Sequence, residues 1–191
     1  MKKCQLFFKR FADIFVCVIA LCILWPVFLI ISIAIKCNSK GPVFFLQERL
    51  GFKGKTFKIL KFRTMVVNAE YIGDGLRVKS EKDNRITSVG RFLRATSLDE
   101  LPQLFNVICG DMSLVGPRPP VTYHPYDGYN NYPDWAKIRF DMRPGITGLA
   151  QATVRNFATW DERIKIDVKY ISGFSLWLDI KVLFLTIKNL C

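Results

Sequence analysis

The chain has 191 residues, half of them apolar, with 28 Lys plus Arg against 16 Asp plus Glu and a net charge of +12. That length and apolar content allow one well-filled domain and exclude disordered, collagen-like and low-complexity classes. The charge is lopsided: residues 1–13 carry +3, residues 14–35 carry none, residues 36–65 carry +7, and the remainder is close to balanced. An uncharged apolar stretch with a basic collar on each side points to a membrane protein whose collars meet anionic lipid or other phosphates. A nucleic-acid partner would explain the charge but not the apolar run.

Residues 14–35 (IFVCVIALCILWPVFLIISIAI) number 22 without a charge, enough at about 1.5 Å per residue to cross a hydrocarbon core of about 30 Å. The run is too long for the core of a signal peptide, and Lys36-Cys37-Asn38 offers no small-residue cleavage site. Basic residues at both ends pull both toward the cytoplasm, which suits a re-entrant hairpin broken at Pro26. A kinked single span is the alternative, and charge and Pro26 alone leave both open.

Gly41-Pro42 ends the membrane element. Residues 43–49 and 56–64 read as two short strands around a Gly51…Gly54 turn, with Lys61 and Arg63 on one face of the second. Residues 68–85 are polar and charge-mixed, an excursion or lid. Residues 97–108 predict a helix, and residues 115–120, Val-Gly-Pro-Arg-Pro-Pro, a stiff loop with fixed φ angles. An aromatic, turn-rich loop (122–135) and a second tight turn holding Arg143 (143–148) follow. Residues 161–170 are an amphipathic helix. Residues 171–190 are strongly apolar but carry Asp179 and Lys181 near their centre, so they are expected to lie along the interface rather than across it.

The six cysteines form no C-x-x-C, and the single His124 cannot complete a Cys/His metal site, so reduced thiols are expected. The chemistry-bearing pair is Asp99-Glu100 within Ser97-Leu-Asp-Glu-Leu-Pro102. If Ser97 caps the helix, Ser97 and Glu100 make a capping box, but Pro102 then deletes a ladder bond. If Asp99 caps it, Pro102 sits where N–H groups are unpaired anyway. The carboxylates then stand at the positive helix end, able to bind a cation or attack phosphorus, with Arg94 near to neutralise a phosphate. Spacing alone leaves capping and chemistry both open.

The run Arg94-x-x-Ser97-Leu-Asp99-Glu100-Leu-Pro-Gln-Leu104, then Gly110-Asp-Met-Ser-Leu-Val-Gly-Pro-Arg-Pro119 and Arg143-Pro-Gly-Ile-Thr-Gly148, closely resembles the bacterial sugar transferases, monotopic polyprenol-phosphate phosphoglycosyl transferases. Lys9-Arg10-x-x-Asp13, Gly41-Pro42-Val43-x-Phe45-x-Gln47-x-Arg49 and Phe57-Lys-Ile-x-Lys61-Phe-x-Thr-Met65 extend the resemblance over residues 9–190 in the family's order.

The resemblance implies a bacterial inner-membrane enzyme with its catalytic domain on the cytoplasmic face. It would move a sugar-1-phosphate from a UDP-sugar to polyprenol phosphate and release UMP, the first membrane step of glycoconjugate assembly. Asp99 would be the nucleophile forming a covalent phosphosugar intermediate. Glu100 would help hold Mg²⁺ or Mn²⁺, with Asp99, or orient the acceptor. Arg94, Pro117 and Arg118 would contact phosphate or uridine, with Lys61 and Arg143 in similar roles. Lys9, Arg10, Asp13 and Pro26 would anchor a re-entrant helix in membrane lipid.

The expected fold is α+β and mainly helical: a helix-break-helix membrane segment, a small antiparallel β-hairpin and interfacial amphipathic helices. The expected division is an anchor (1–39) and a catalytic domain (40–191) of minimal form. Trp25 stands before Pro26 where many family members carry serine. A membrane-tethered, non-catalytic interaction module is the competing class. It explains the anchor and collars but not the Asp-Glu pair.

Overall fold

The computed structural model describes residues 3–72, 83–154 and 158–190. Its architecture is mainly helical, with a long apolar N-terminal helix and two small sheets. The apolar run forms α1 (Lys3–Asn38), one α-helix that carries Pro26 inside it. By length and composition α1 is long enough to cross a membrane, and its most apolar stretch is largely exposed. The sequence predicts two half-helices meeting at Pro26. The element continues through that residue, because a proline removes one N–H from the ladder and the next turn resumes it.

Strands β1 (Phe44–Leu50) and β2 (Thr56–Phe62) pair around a turn in which Lys53 and Gly54 both take positive φ, the expected hairpin. Helix α2 (Ser88–Ala95) follows, then α3 (Gln103–Cys109), β3 (Ser113–Val115), α4 (Asp134–Lys137), β4 (Gly145–Thr147), α5 (Leu149–Thr153), α6 (Trp160–Ser172) and α7 (Leu176–Leu190). The helix expected over 97–108 is therefore shorter. It begins after Pro102, which has no N–H to give to a ladder. The tight turn expected at 143–148 is strand β4, parallel to β3 with Ser113 opposite Gly145 and Val115 opposite Thr147.

The chain packs as two units. One comprises Ala20–Leu46 and Leu60–Pro102. Its core joins Ile31 and Ile35 of α1 to Phe62 of β2 and Leu93 of α2, with Leu98 and Leu101 packed against them. Arg63, just past β2, is buried and donates to the carbonyls of Ser39 and Lys40, the two residues that follow α1. Lys61 and Arg63, expected on one face, thus serve different partners, because Arg63 lies outside the strand. Gly41, at φ +120°, lies where a Cβ would collide with the Arg63 guanidinium. Arg85 donates to the Ala69 and Ile72 carbonyls and pairs with Asp83. Residues 73–82 of the expected lid lie outside the described residues.

The other unit comprises Met1–Ile19, Gln47–Ile59 and Gln103–Cys191. One core gathers Val115, Met142, Tyr170, Ile171 and Val182. A second gathers Tyr132 and Phe140, edge to face at 5.0 Å, with Leu50 and Ile164, so the aromatic loop supplies core. Helix α6 starts in a capping box between Thr159 and Glu162.

Lys9 and Arg10, read above as part of a collar toward lipid, are engaged inside this unit. Lys9 is buried, with Nζ 2.6 Å from Asp179 of α7. Arg10 donates to the carbonyls of Val107 and Ile108 at the end of α3. Asp13 accepts from Ser113 Oγ at 2.6 Å. Asp179, one of the two charges that interrupt the last apolar segment, faces protein. It also takes the Tyr170 hydroxyl at 2.5 Å, whose pKa burial and this carboxylate push up. Trp177 and Phe184 of α7 are 74% and 69% exposed, as are Phe7 and Phe11 of α1 at 71% and 65%. The five described cysteines are free.

Candidate active site

The Asp-Glu pair occupies a single 3₁₀ turn, Leu98–Glu100, between α2 and α3. Its entry is fixed by Ser97, whose φ of 57° reverses the chain in the left-handed region and whose hydroxyl caps nothing. Neither capping arrangement drawn from the sequence is present: the turn is separate from α3, which starts after Pro102. The pattern Leu98-Asp-Glu-Leu101 explains the presentation. The two leucines pack into the core beside Phe62 and Leu93, and the two acids between them are partly exposed.

β2 supplies the counter-charge. Phe62 points inward, so its neighbour Lys61 takes the other face. Lys61 Nζ lies 2.6 Å from Glu100 Oε1 and 4.0 Å from Asp99 Oδ2. All three side chains are between 13% and 22% exposed, sheltered from bulk solvent yet open to a ligand. Lys61 thus lies within reach of both carboxylates and offsets part of their charge.

α2 is held against the end of β2 at very short range. Gly90 lies over the Thr64 carbonyl, which also accepts from Thr87 N, while Thr87 Oγ1 caps α2 at Gly90 N. Arg94, exposed on the last turn of α2, donates from Nε to Thr64 Oγ1 at 3.1 Å. Lys61, Arg94, Asp99 and Glu100 are thus supported by one set of elements.

Pro117, Arg118 and Arg143 belong to the other unit. Pro117 and Arg118 line a small crevice with Leu50, Arg139, Phe140 and Met142. Arg143 is exposed, donates to the Gly110 carbonyl at 2.8 Å and lies 5.7 Å over the Phe52 ring. Both contacts are with the protein's own turns, after α3 and between β1 and β2.

Among the described residues no group of three His, Cys, Asp or Glu could enclose a metal. Asp99 and Glu100 nonetheless present hard oxygen donors side by side, which fits Mg²⁺, an ion often held by one or two carboxylates plus water and phosphate.

Residues 4–191 match the bacterial sugar transferase family, and the chain belongs to that family. It is 44% identical over 185 residues to the UDP-glucose:undecaprenyl-phosphate glucose-1-phosphate transferase of Klebsiella pneumoniae, covering 94% of this chain and 39% of that protein. It is 43% identical over 189 residues to the enzyme of that name from Caulobacter vibrioides, covering 95% and 69%. It is 43% identical over 187 residues to the UDP-N-acetylgalactosamine-undecaprenyl-phosphate N-acetylgalactosaminephosphotransferase of Aeromonas hydrophila, covering 96% and 44%. The chain spans about two-fifths of the first and last of these.

Reasoning from the sequence missed three buried or half-buried charges of this region: Arg49, Arg139 and Asp167. Arg139 and Asp167 pair at 2.8 Å with side chains 1% and 3% exposed. Burial pushes the Asp167 carboxyl up to about 6, against the pull of Arg139. Arg49 stands two residues after Gln47 in the Gly41–Arg49 motif, and its Nη2 donates to Gln47 Oε1 at 2.6 Å.

Proposed function

We propose that this chain transfers a sugar-1-phosphate from a UDP-sugar to a polyprenol phosphate through a covalent aspartyl intermediate, releasing UMP. The observation that carries the reading is the Asp99–Glu100 turn, partly exposed and countered by Lys61, in a chain of this family. A carboxylate oxygen of Asp99 attacks the β-phosphorus, the bond to the bridging oxygen of the α-phosphate breaks, and UMP leaves with that electron pair. An oxygen of the lipid phosphate then attacks the same phosphorus and displaces Asp99, giving polyprenol-diphospho-sugar and restoring the carboxylate. One nucleophile thus serves both half-reactions.

Lys61 and Arg94 offset the negative charge that gathers as two anions meet. Lys61 Nζ lies nearer Glu100 Oε1, at 2.6 Å, than Asp99 Oδ2, at 4.0 Å. Asp99 and Glu100 would hold Mg²⁺ or Mn²⁺, which when bound neutralises diphosphate charge. Arg118, on its stiff loop, contacts the uridine or phosphate half of the donor, with Pro117 beside it. Arg143 is assigned a similar role. Donor sugars named for the relatives are glucose and N-acetylgalactosamine, so the motifs shared with them leave the sugar open.

The anchor is read as re-entrant, with the catalytic portion from residue 40 onward on the cytoplasmic face of the inner membrane. Support comes from where α1 packs. Lys9, Arg10 and Asp13 bond residues 107–113 and Asp179, while Ile31 and Ile35 pack with Phe62 and Leu93. Each end of α1 is bound within its own unit, and the basic residues that flank the apolar run on both sides favour the cytoplasmic face. The exposed apolar side chains of α7 suit a helix lying in the interface.

Release of UMP from a panel of UDP-sugars by detergent-solubilised protein with polyprenol phosphate tests the reading. Labelled phosphosugar that stays on denatured protein, and is absent from Asp99→Asn, supports the covalent step. No UMP release from any donor overturns the transferase reading.

A further inference from the structure

Residues 117–120, Pro-Arg-Pro-Pro, have a single backbone N–H among them, so this stretch cannot donate its way into a ladder. It is held by its carbonyls instead. Gly145 N donates to Pro117 O at 3.0 Å, Arg139 Nη2 to Arg118 O at 2.8 Å, Arg49 Nη1 to Pro119 O at 3.0 Å, and Leu50 N to Pro120 O at 3.0 Å. Four successive carbonyls each have a donor, and two of those donors are arginine side chains.

Arg139 is the more telling of the two. Its side chain is 1% exposed, and the Nη2 that reaches Arg118 O also donates to Asp167 Oδ2 at 2.8 Å. Asp167 comes from α6, so a charge on one helix fixes a guanidinium that fixes the backbone of a distant loop. A guanidinium carries several donors in a rigid plane and holds two acceptors at set angles, which an ammonium on a flexible stem does not. The site thereby has its loop ordered before any ligand arrives.

We propose that the Asp167–Arg139 pair, together with Arg49, is a positioning device that fixes the Arg118 backbone so that the Arg118 side chain meets the nucleotide half of the donor already oriented. The proposal rests on the reading of Arg118 given above. Arg139, Asp167 and Arg49 touch no substrate; they act through Arg118.

The test is a double-mutant cycle on the full chain in detergent, with UDP binding by calorimetry and KM against kcat for the UDP-sugar as readouts. Arg118→Ala weakens UDP binding. Arg139→Lys and Arg49→Lys each weaken it by about five- to tenfold and raise KM more than they lower kcat. In the Arg118→Ala background these losses vanish, since coupled residues are not additive. Arg49 is only half-buried, so Arg49→Lys carries the cycle if Arg139→Lys does not fold. Losses that persist in full beside Arg118→Ala overturn the positioning device and leave the Arg118 reading standing. Lysine variants that bind UDP normally, where Arg118→Ala does not, also overturn it. Normal UDP binding by Arg118→Ala overturns the reading of Arg118 and the proposal with it.

Discussion

Lys9 Nζ meets Asp179 Oδ2 at 2.6 Å across 170 positions of sequence, with side chains 7% and 10% exposed. A buried carboxylate deprived of its cation is costly. Lys9→Ala is expected to lower stability by about 3–5 kcal/mol. Urea unfolding of the detergent-solubilised protein reads this. A change under 1 kcal/mol would show that the pair is solvated in practice.

The same pair bears on topology. If α1 is re-entrant, Cys4 lies on the side of the catalytic domain. As the sole cysteine of a variant, exposed Cys4 should resist an impermeant thiol reagent in intact cells and react after lysis. Labelling of intact cells would mean a true span. Pro26→Ala restores an N–H for the Cys22 carbonyl and should shift a fraction of molecules toward labelling. That shift is limited by the cost of translocating Lys2, Lys3, Lys9 and Arg10.

At the site, Asp99→Asn should fall to background, because an amide does not form the acyl phosphate, while its thermal unfolding stays near that of the wild type. Glu100→Gln should be severely impaired. Lys61→Met should lose about 10²-fold in kcat through missing charge stabilisation. Excess EDTA should abolish turnover and added Mg²⁺ or Mn²⁺ restore it. Full activity in EDTA would remove the divalent ion from the reaction.

Gly90→Ala probes the support of the Asp-Glu turn. A Cβ there would stand 1.9 Å from the Thr64 carbonyl oxygen, so α2 must move away from β2. The expected loss is about 1–3 kcal/mol of stability, with a fall in kcat as Arg94 and the following turn shift. Wild-type kinetics in this variant would mean that the turn is placed independently of α2.

The pH dependence of Asp167 has a definite sign. Its carboxyl ionises near 6 in the fold against an ordinary 3.8, mainly through burial, with Arg139 and Arg163 pulling the other way. Between about pH 4 and 6 the folded chain therefore binds more protons here than the unfolded one, so this group's contribution to stability declines as pH rises through that window. Asp167→Asn removes that decline. The stability difference between wild type and variant should favour the wild type more at pH 4.5 than at pH 7. An unchanged difference would mean that the carboxyl titrates normally.

The locally encoded features were legible. The hairpin between β1 and β2 follows from two β-rich runs around a glycine turn. The stiff loop follows from three prolines in four residues. The Asp-Glu pair stood out in the sequence as a candidate for chemistry, but its local geometry was not legible. Both capping arrangements assumed that the helix reached back to Ser97 or Asp99, and the left-handed Ser97 with Pro102 detaches the pair onto its own turn. β4 was hidden inside a proline-glycine motif, because a three-residue parallel strand shows no alternation long enough to read.

By itself the sequence determined what lies within a few residues: the charge-free run of α1, the leucines that bracket Asp99 and Glu100, and the missing N–H groups of residues 117–120. These follow from side-chain polarity and covalent geometry. Only the tertiary structure decided which charge meets which. Lys61 meets Glu100, Lys9 meets Asp179, and Arg139 joins Asp167 to the Arg118 carbonyl. Such pairs span tens to hundreds of positions and leave no periodic trace, because an isolated Lys, Arg or Asp looks the same in sequence whether it faces water or a buried partner. Burial is what separates the two cases, by making a missing partner costly, and burial is a property of the packed chain.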